Sequence, residues 1–161
     1  MSESERLDFL EKTLGRILAA IGAADAKVAQ LFAISTGMLG FEATIVAKVH
    51  FFSCLTYLFL ALSALPLLFC LFSLFMVMYP RLDGPESVIY FYHIARQDLG
   101  CYMKQIGGII NSELIEDYAR QSHRNAEIAT AKFAWLRRAN MSLFFATTPW
   151  LAMVLLGYIN N

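Results

Sequence analysis

Residues 51–79, FFSCLTYLFLALSALPLLFCLFSLFMVMY, run for 29 positions without a charged side chain. A helix needs roughly 20 apolar residues to cross a hydrocarbon layer about 30 Å thick. Soluble cores do not call for an apolar run of this length. Lipid offers the backbone no water to bond, so the segment must close its own hydrogen bonds, and a helix does that. Pro66, near the middle, removes one amide donor and predicts a kink. The rest of the chain is organised around this span.

Composition agrees with a membrane protein. Of 161 residues, 58% are hydrophobic and only 16% charged, against about half and a quarter in soluble domains. The length suits one small domain, too small to enclose a path alone, so a homo-oligomer is expected, with a tetramer as the guess. Formal net charge is zero, which gives no general attraction to polyanions. Cys54, Cys70 and Cys101 have neither metal-ligand spacing nor a disulfide pattern. The polar, acidic start MSESERLDFLEK is unlike a cleavable signal peptide.

Working outward toward the N-terminus, Val28–Ala47 is a second, weaker span containing Gln30, Ser35, Thr36, Glu42 and Thr44. Ala29, Ala33, Thr36, Gly37, Gly40 and Thr44 make a small-residue stripe, and Ala33, Gly37 and Gly40 are its expected helix-packing positions. Ser35 and Glu42, seven apart, share a different face. An ionisable side chain in a span usually faces a bundle interior or a water-filled path, so both are candidate pore or gate residues. A place for Glu42 among the outer headgroups, with Lys48 close by, stays open. Asp25 and Lys27, at the mouth of this span, join the gate candidates. Residues 1–27 read as an amphipathic helix with Leu7, Leu10, Leu14, Ile17, Leu18 and Ile21 on one face and Ser2 or Ser4 as its cap. It packs on its own protomer or neighbours, or lies on the membrane surface.

Lys48–His50 marks a short turn before residue 51, and Pro80-Arg81-Leu82-Asp83-Gly84-Pro85 ends the span. Residues 80–139 form a polar helical region. Glu86–Met103 reads as one helix, Gly107-Gly108 as a hinge or turn, and Ser112–Ala139 as a long helix capped by Asn111 or Ser112. No breaker separates it from Asn140–Ile159, a third span with Pro149 as a kink site and Trp150 and Tyr158 as interfacial candidates. The expected fold is therefore an all-α membrane protein: an N-terminal amphipathic helix, spans at 28–47, 51–79 and 140–159, and a cytoplasmic helical region whose long helix continues into the last span.

Twelve Lys and Arg residues lie before the first span or between the second and third, and one, Lys48, lies in the first turn. The positive-inside rule puts the N-terminus and 80–139 in the cytoplasm and the C-terminus outside. No nucleophile elbow, HExxH or phosphate-loop motif is present, and His50, His93 and His123 lack partner patterns, so neither an enzyme nor a cofactor is expected. Arg120, Arg124, Lys132, Arg137 and Arg138 suggest an anion site repeated around an oligomer axis, since Arg forks suit phosphate. A solvated helix face, with Glu116, Asp117 and Glu127 as partners, is the competing reading.

Three stretches then resemble a known family. Ala24-Asp25-Ala26-Lys27 leading into LFAISTGMLG is similar to the family's entry to its first span, with Ser35-Thr36-Gly37 where an Asn-Gly ending is usual. Pro80-Arg81-Leu82, followed by YFYHIAR at 90–96, is the second, and LIEDYARQSHRNAEIATAKFAWLRRAN at 114–140 the third. In order and spacing they resemble the membrane effectors of Pycsar-type anti-phage systems, and Hailong-like channel effectors share the resemblance. It implies an effector of the bacterial inner membrane that works with the lipid bilayer. A nucleotide or oligonucleotide second messenger, made by a neighbouring nucleotidyltransferase or cyclase, would control it. Activation would depolarise the membrane and abort infection. No cyclic-nucleotide-binding domain is recognisable, so the ligand is expected in the helical region or at an oligomer interface. A non-conducting anchor for a partner protein is the alternative.

Overall fold

A computed structural model describes residues 1–48, 54–80 and 87–159. Its elements are α1 (Glu3–Lys48), α2 (Cys54–Met78), α3 (Phe91–Ile94), α4 (Leu99–Gly108) and α5 (Asn111–Ile159), with no strand among the described residues. α1, α2 and α5 are each long and apolar enough to span a membrane. Several expected features lie outside the described residues: the turn through His50, the span's first residues 51–53, the Arg81–Pro85 breaker, and the side chains of Lys48 and Tyr158.

The amphipathic segment and the first span, expected as separate pieces, are one helix. Nothing at Ala24–Lys27 breaks it: the composition changes there, but no Gly or Pro interrupts the amide ladder. A full capping box starts it. Ser2 Oγ accepts from Glu5 N at 3.2 Å, and Ser2 N donates to Glu5 Oε2 at 2.6 Å. α5 likewise runs unbroken through the expected junction at 139–140. Neither Asn111 nor Ser112 caps it; Ile110 holds that place, and its N–H donates to Glu113 Oε2 at 3.4 Å. The single helix expected over 86–103 is divided. α3 ends at Ile94, and α4 begins after Asp98, whose carboxylate accepts from Gly100 N at 2.9 Å. Gly107 and Gly108 are the last residues of α4, and the chain turns extended at Ile109.

The chain divides into two units, and α1 and α5 supply residues to both. The membrane unit comprises Ala24–Tyr79 and Lys132–Asn161. Apart from Ser73, which is buried next to Leu74, its buried residues recur mainly three, four or seven apart: Ala24, Val28, Leu31, Ser35 and Glu42 on α1; Thr56, Ser63, Leu67, Cys70, Leu74 and Val77 on α2; Leu136, Ala139, Ser142, Ala146 and Met153 on α5. That is the seam spacing of helices packed knobs into holes. The outer face of α2 is the reverse, with Leu58, Leu65, Phe72 and Phe75 all more than half exposed, as lipid contact requires.

One close approach sits near the end of α5. A Cβ placed on Gly157 would lie 2.6 Å from Ile45 Cγ2, so glycine is what lets α1 and α5 meet there. Gly37 and Gly40 behave differently: a Cβ on either meets nothing within 4 Å, and Ala33 is exposed too. The stripe expected to pack helices does not do so within this chain.

The polar unit comprises Met1–Ala23 and Pro80–Ala131. Leu7, Leu10, Leu14, Ile17 and Ile21 of α1 are half-buried at helical spacing, while Leu18, expected among them, is 50% exposed. Asp117 of α5 fastens the segment before α3. It accepts from Ser87 Oγ at 3.0 Å and Val88 N at 2.9 Å, while Ser87 Oγ accepts from Ile89 N and Tyr90 N. Tyr102 of α4 adds a bond to the Val88 carbonyl.

Candidate functional site

Two places bring polar chemistry together, one in each unit. In the polar unit, α4, the start of α5 and the segment at Ser87 border an open cavity of about 630 Å³, within the usual size for small-molecule sites. Lys104 and Arg120 bring positive charge to its lining, Gln97 and Gln105 bring amides, and Glu113, Glu116 and Asp117 bring carboxylates. Two cations suit a phosphate, amides suit the edge of a base, and carboxylates accept from sugar hydroxyls. Arg120 is paired with Glu116 one turn earlier on the same exposed face. Asp117 is committed to Ser87 and Val88. Tyr118, beside it on α5, keeps its phenol above the ordinary range, through burial first and then the carboxylates of Glu11 and Asp117.

The five cations expected to act together are distributed. Arg120 lines this cavity. Arg124 lies 3.1 Å from Glu127 and shares a second hollow with Ala119, Arg120 and His123. Lys132 belongs to the membrane unit, where its ammonium, with the side chain only 14% exposed, lies 2.6 Å from Asp25 Oδ1. Arg137 is exposed. Arg138 lies over the Trp135 ring, 4.2 Å from its centroid. Asp25, expected at a gate, is thus the ion-pair partner of a residue expected in the anion site. Lys27 is exposed.

The second place is the seam of the membrane unit. Glu42 is 3% exposed and Ser35 fully buried, which places both side chains inside the helix bundle. Ser63 Oγ donates to Glu42 Oε1 at 2.5 Å. Ser35 Oγ donates to the Leu31 carbonyl at 2.8 Å and lies 3.2 Å from Cys70 Sγ. Ser142 Oγ donates to the Pro66 carbonyl at 2.6 Å. Trp150, an interfacial candidate by sequence, donates Nε1–H to the Met38 carbonyl at 3.1 Å. Each bond except Ser35 to Leu31 joins different helices. Lipid provides no hydrophobic force between helices, so such bonds and close packing hold them. Among the described residues no cation lies within salt-bridge distance of Glu42.

Several of these residues were not singled out by sequence. Ser63, Cys70 and Ser142 are small polar residues within spans, and a shared seam spacing is their only signal. Lys104 and the two glutamines carry no motif, and chain folding alone brings them beside Arg120.

No curated protein and no solved structure matches the chain. The family description "Pycsar effector protein domain", PycTM, matches residues 9–159, nearly the whole sequence. That match agrees with three apolar helices of spanning length and with the three stretches quoted above; Pycsar effectors respond to cyclic nucleotides made by a partner cyclase. The chain belongs to the Pycsar effector (PycTM) family, the multi-pass membrane effectors of an anti-phage defence.

Proposed function

We propose that the chain assembles with copies of itself into an ion channel or pore that a cyclic nucleotide controls, depolarising the membrane and aborting infection. The observation that carries this reading is Glu42 in the bundle interior, held across helices by Ser63. An ionisable side chain inside a span is costly and is by default a functional residue. Glu42 and Ser35 act here as a gate, holding α1 to α2 at rest. The open face at Ala33, Gly37 and Gly40 is where copies approach, since small residues let helix backbones come close. The cation bias places the N-terminus and the polar unit in the cytoplasm, where a cyclase product accumulates.

The signal binds the polar cavity. Lys104 and Arg120 take its phosphate, Gln97 and Gln105 the base, and Arg120 exchanges Glu116 for the ligand. Arg124, in the neighbouring hollow, assists through long-range charge.

The test is ion flux through purified protein in liposomes, with and without a panel of 3′,5′-cyclic mononucleotides. Wild type should respond to at least one. Arg120→Glu and Lys104→Glu should lose the response on the order of a hundredfold in nucleotide concentration, and Arg124→Glu less. No flux under any nucleotide would defeat the channel reading. Flux that Arg120→Glu and Lys104→Glu leave equally responsive would place the signal elsewhere.

A further inference from the structure

A groove of about 470 Å³ lies between α2 and α5 on the outside of the membrane unit. Leu65 and Phe69 form one wall and Met141 and Phe145 the other, all between 48% and 66% exposed. Ser142 reaches it, but its hydroxyl is already given to the Pro66 carbonyl. The remaining polar group is the Arg138 guanidinium at one end. Arg138 is the last charged residue in the sequence, so the groove runs from the final charge into the apolar span.

Arg138 is held in place. Its guanidinium lies over Trp135, which in turn meets the Phe72 ring edge-on at 6.0 Å. Contact with an aromatic face leaves the fork's N–H groups available while stripping water from one side. Among the described residues no carboxylate lies within 4 Å of it, unlike Lys132 with Asp25. Arg137, next to it and exposed, adds to the local positive charge.

We propose that Arg138 and this groove bind one anionic phospholipid. The phosphate sits on the guanidinium fork and an acyl chain lies between Leu65 and Phe69 on one side and Met141 and Phe145 on the other. Charge complementarity selects the occupant. A nucleotide has no group suited to hydrocarbon walls, whereas a phospholipid places its charge one helix turn above its chain. A zwitterionic headgroup brings an ammonium toward Arg137 and Arg138, while phosphatidylglycerol does not. Basic pockets at the membrane boundary between spanning helices suit such headgroups. The inference rests on the chain spanning a membrane, and not on conduction or nucleotide control. It assigns Arg138 to lipid rather than to the signal.

The test is lipid retention by the purified full-length chain in native mass spectrometry, comparing phosphatidylglycerol with phosphatidylcholine of identical acyl chains. Wild type should retain phosphatidylglycerol on the order of tenfold better. Arg138→Gln should bring the two lipids level. Leu65→Trp, which fills the groove from an exposed position, should reduce retention of both. Equal retention of the two lipids by wild type overturns the proposal without reference to any variant. So does an Arg138→Gln protein that keeps the preference, or a Leu65→Trp protein that retains lipid as wild type does. A lipid-free dimer that Leu65→Trp converts to monomer would assign the groove to a second copy instead. None of these outcomes depends on ion flux, so the channel reading stands or falls separately.

Discussion

Polar side chains do different work in the two units. In the membrane unit several of them bond between helices: Glu42 with Ser63, Ser35 with Cys70, Ser142 with the Pro66 carbonyl, Trp150 with the Met38 carbonyl and Lys132 with Asp25. In the polar unit the ion pairs stay within one helix turn, as in Asp8 with Lys12, Glu116 with Arg120 and Arg124 with Glu127. Solvent explains the difference. An exposed pair in water gains only a few tenths of a kcal/mol, because water competes for both charges. In lipid nothing competes, and apolar surface supplies no force between helices, so a few polar bonds and close contacts must specify the arrangement. Where the polar unit does join elements through a charge, at Asp117, the carboxylate is half-buried and its donors include a backbone N–H.

Breaking the close approach of α1 and α5 at Gly157 should cost the membrane unit most. Gly157→Leu forces a side chain into Ile45 and should lower stability in detergent by about 3 kcal/mol, with partial recovery when Ile45→Ala is added. Gly37→Leu and Gly40→Leu, which meet open space in the chain, should leave unfolding of the single chain unchanged and alter only assembly size. A Gly157→Leu protein as stable as wild type would remove the contrast between the two kinds of glycine.

In the polar unit, Asp117→Ala deprives Ser87 and Val88 of their acceptor. A loss of about 2 kcal/mol is expected, together with faster amide exchange over residues 87–90. If exchange there does not change, Asp117 does not hold the segment.

Ser63→Ala should cost less, about 1 kcal/mol, since hydrogen bonds between membrane helices average below that and rarely exceed ~1.7 kcal/mol. Pairing it with Glu42→Gln in a double-mutant cycle in bilayer-mimicking micelles measures the coupling. Additive effects would mean the two side chains do not act together.

Tyr118 gives the smallest effect. Its folded-state pKa lies above its unfolded value, so the stabilisation is fully present below about pH 10 and is lost as pH rises through the folded value. Tyr118→Phe should remove that part of the alkaline destabilisation and change nothing at neutral pH. An unchanged alkaline profile would show that the phenol is not the titrating group.

The spans were legible because hydrocarbon imposes a length and a composition that few sequences meet by chance. α5 was legible as one helix because nothing between Asn111 and Asn140 interrupts it. The division of 86–103 was readable in principle, since Asp98 followed two residues later by Gly100 is a capping signal. α1 was divided at a change of solvent, and a change of solvent does not end a helix. Glu42 was recognisable as unusual, yet its partner was not, because helix register is set by packing between segments far apart in sequence. The same reason hid Lys104 from Arg120 and separated Lys132 from the other cations.

Glu42 also bears on how the chain enters the bilayer. An ionisable side chain within a span costs insertion up to about 3 kcal/mol, on top of Gln30, Ser35 and Thr36 in the same segment. α2, with a mean hydropathy of 2.5 and no charge, has favourable insertion to share, and Ser63 is the donor Glu42 lacks alone. The expected outcome is that the first two spans enter together as a hairpin. A chain ending at Lys48 should insert less completely in microsomes than one ending at Tyr79, and equal insertion of the two would show that the first span needs no companion.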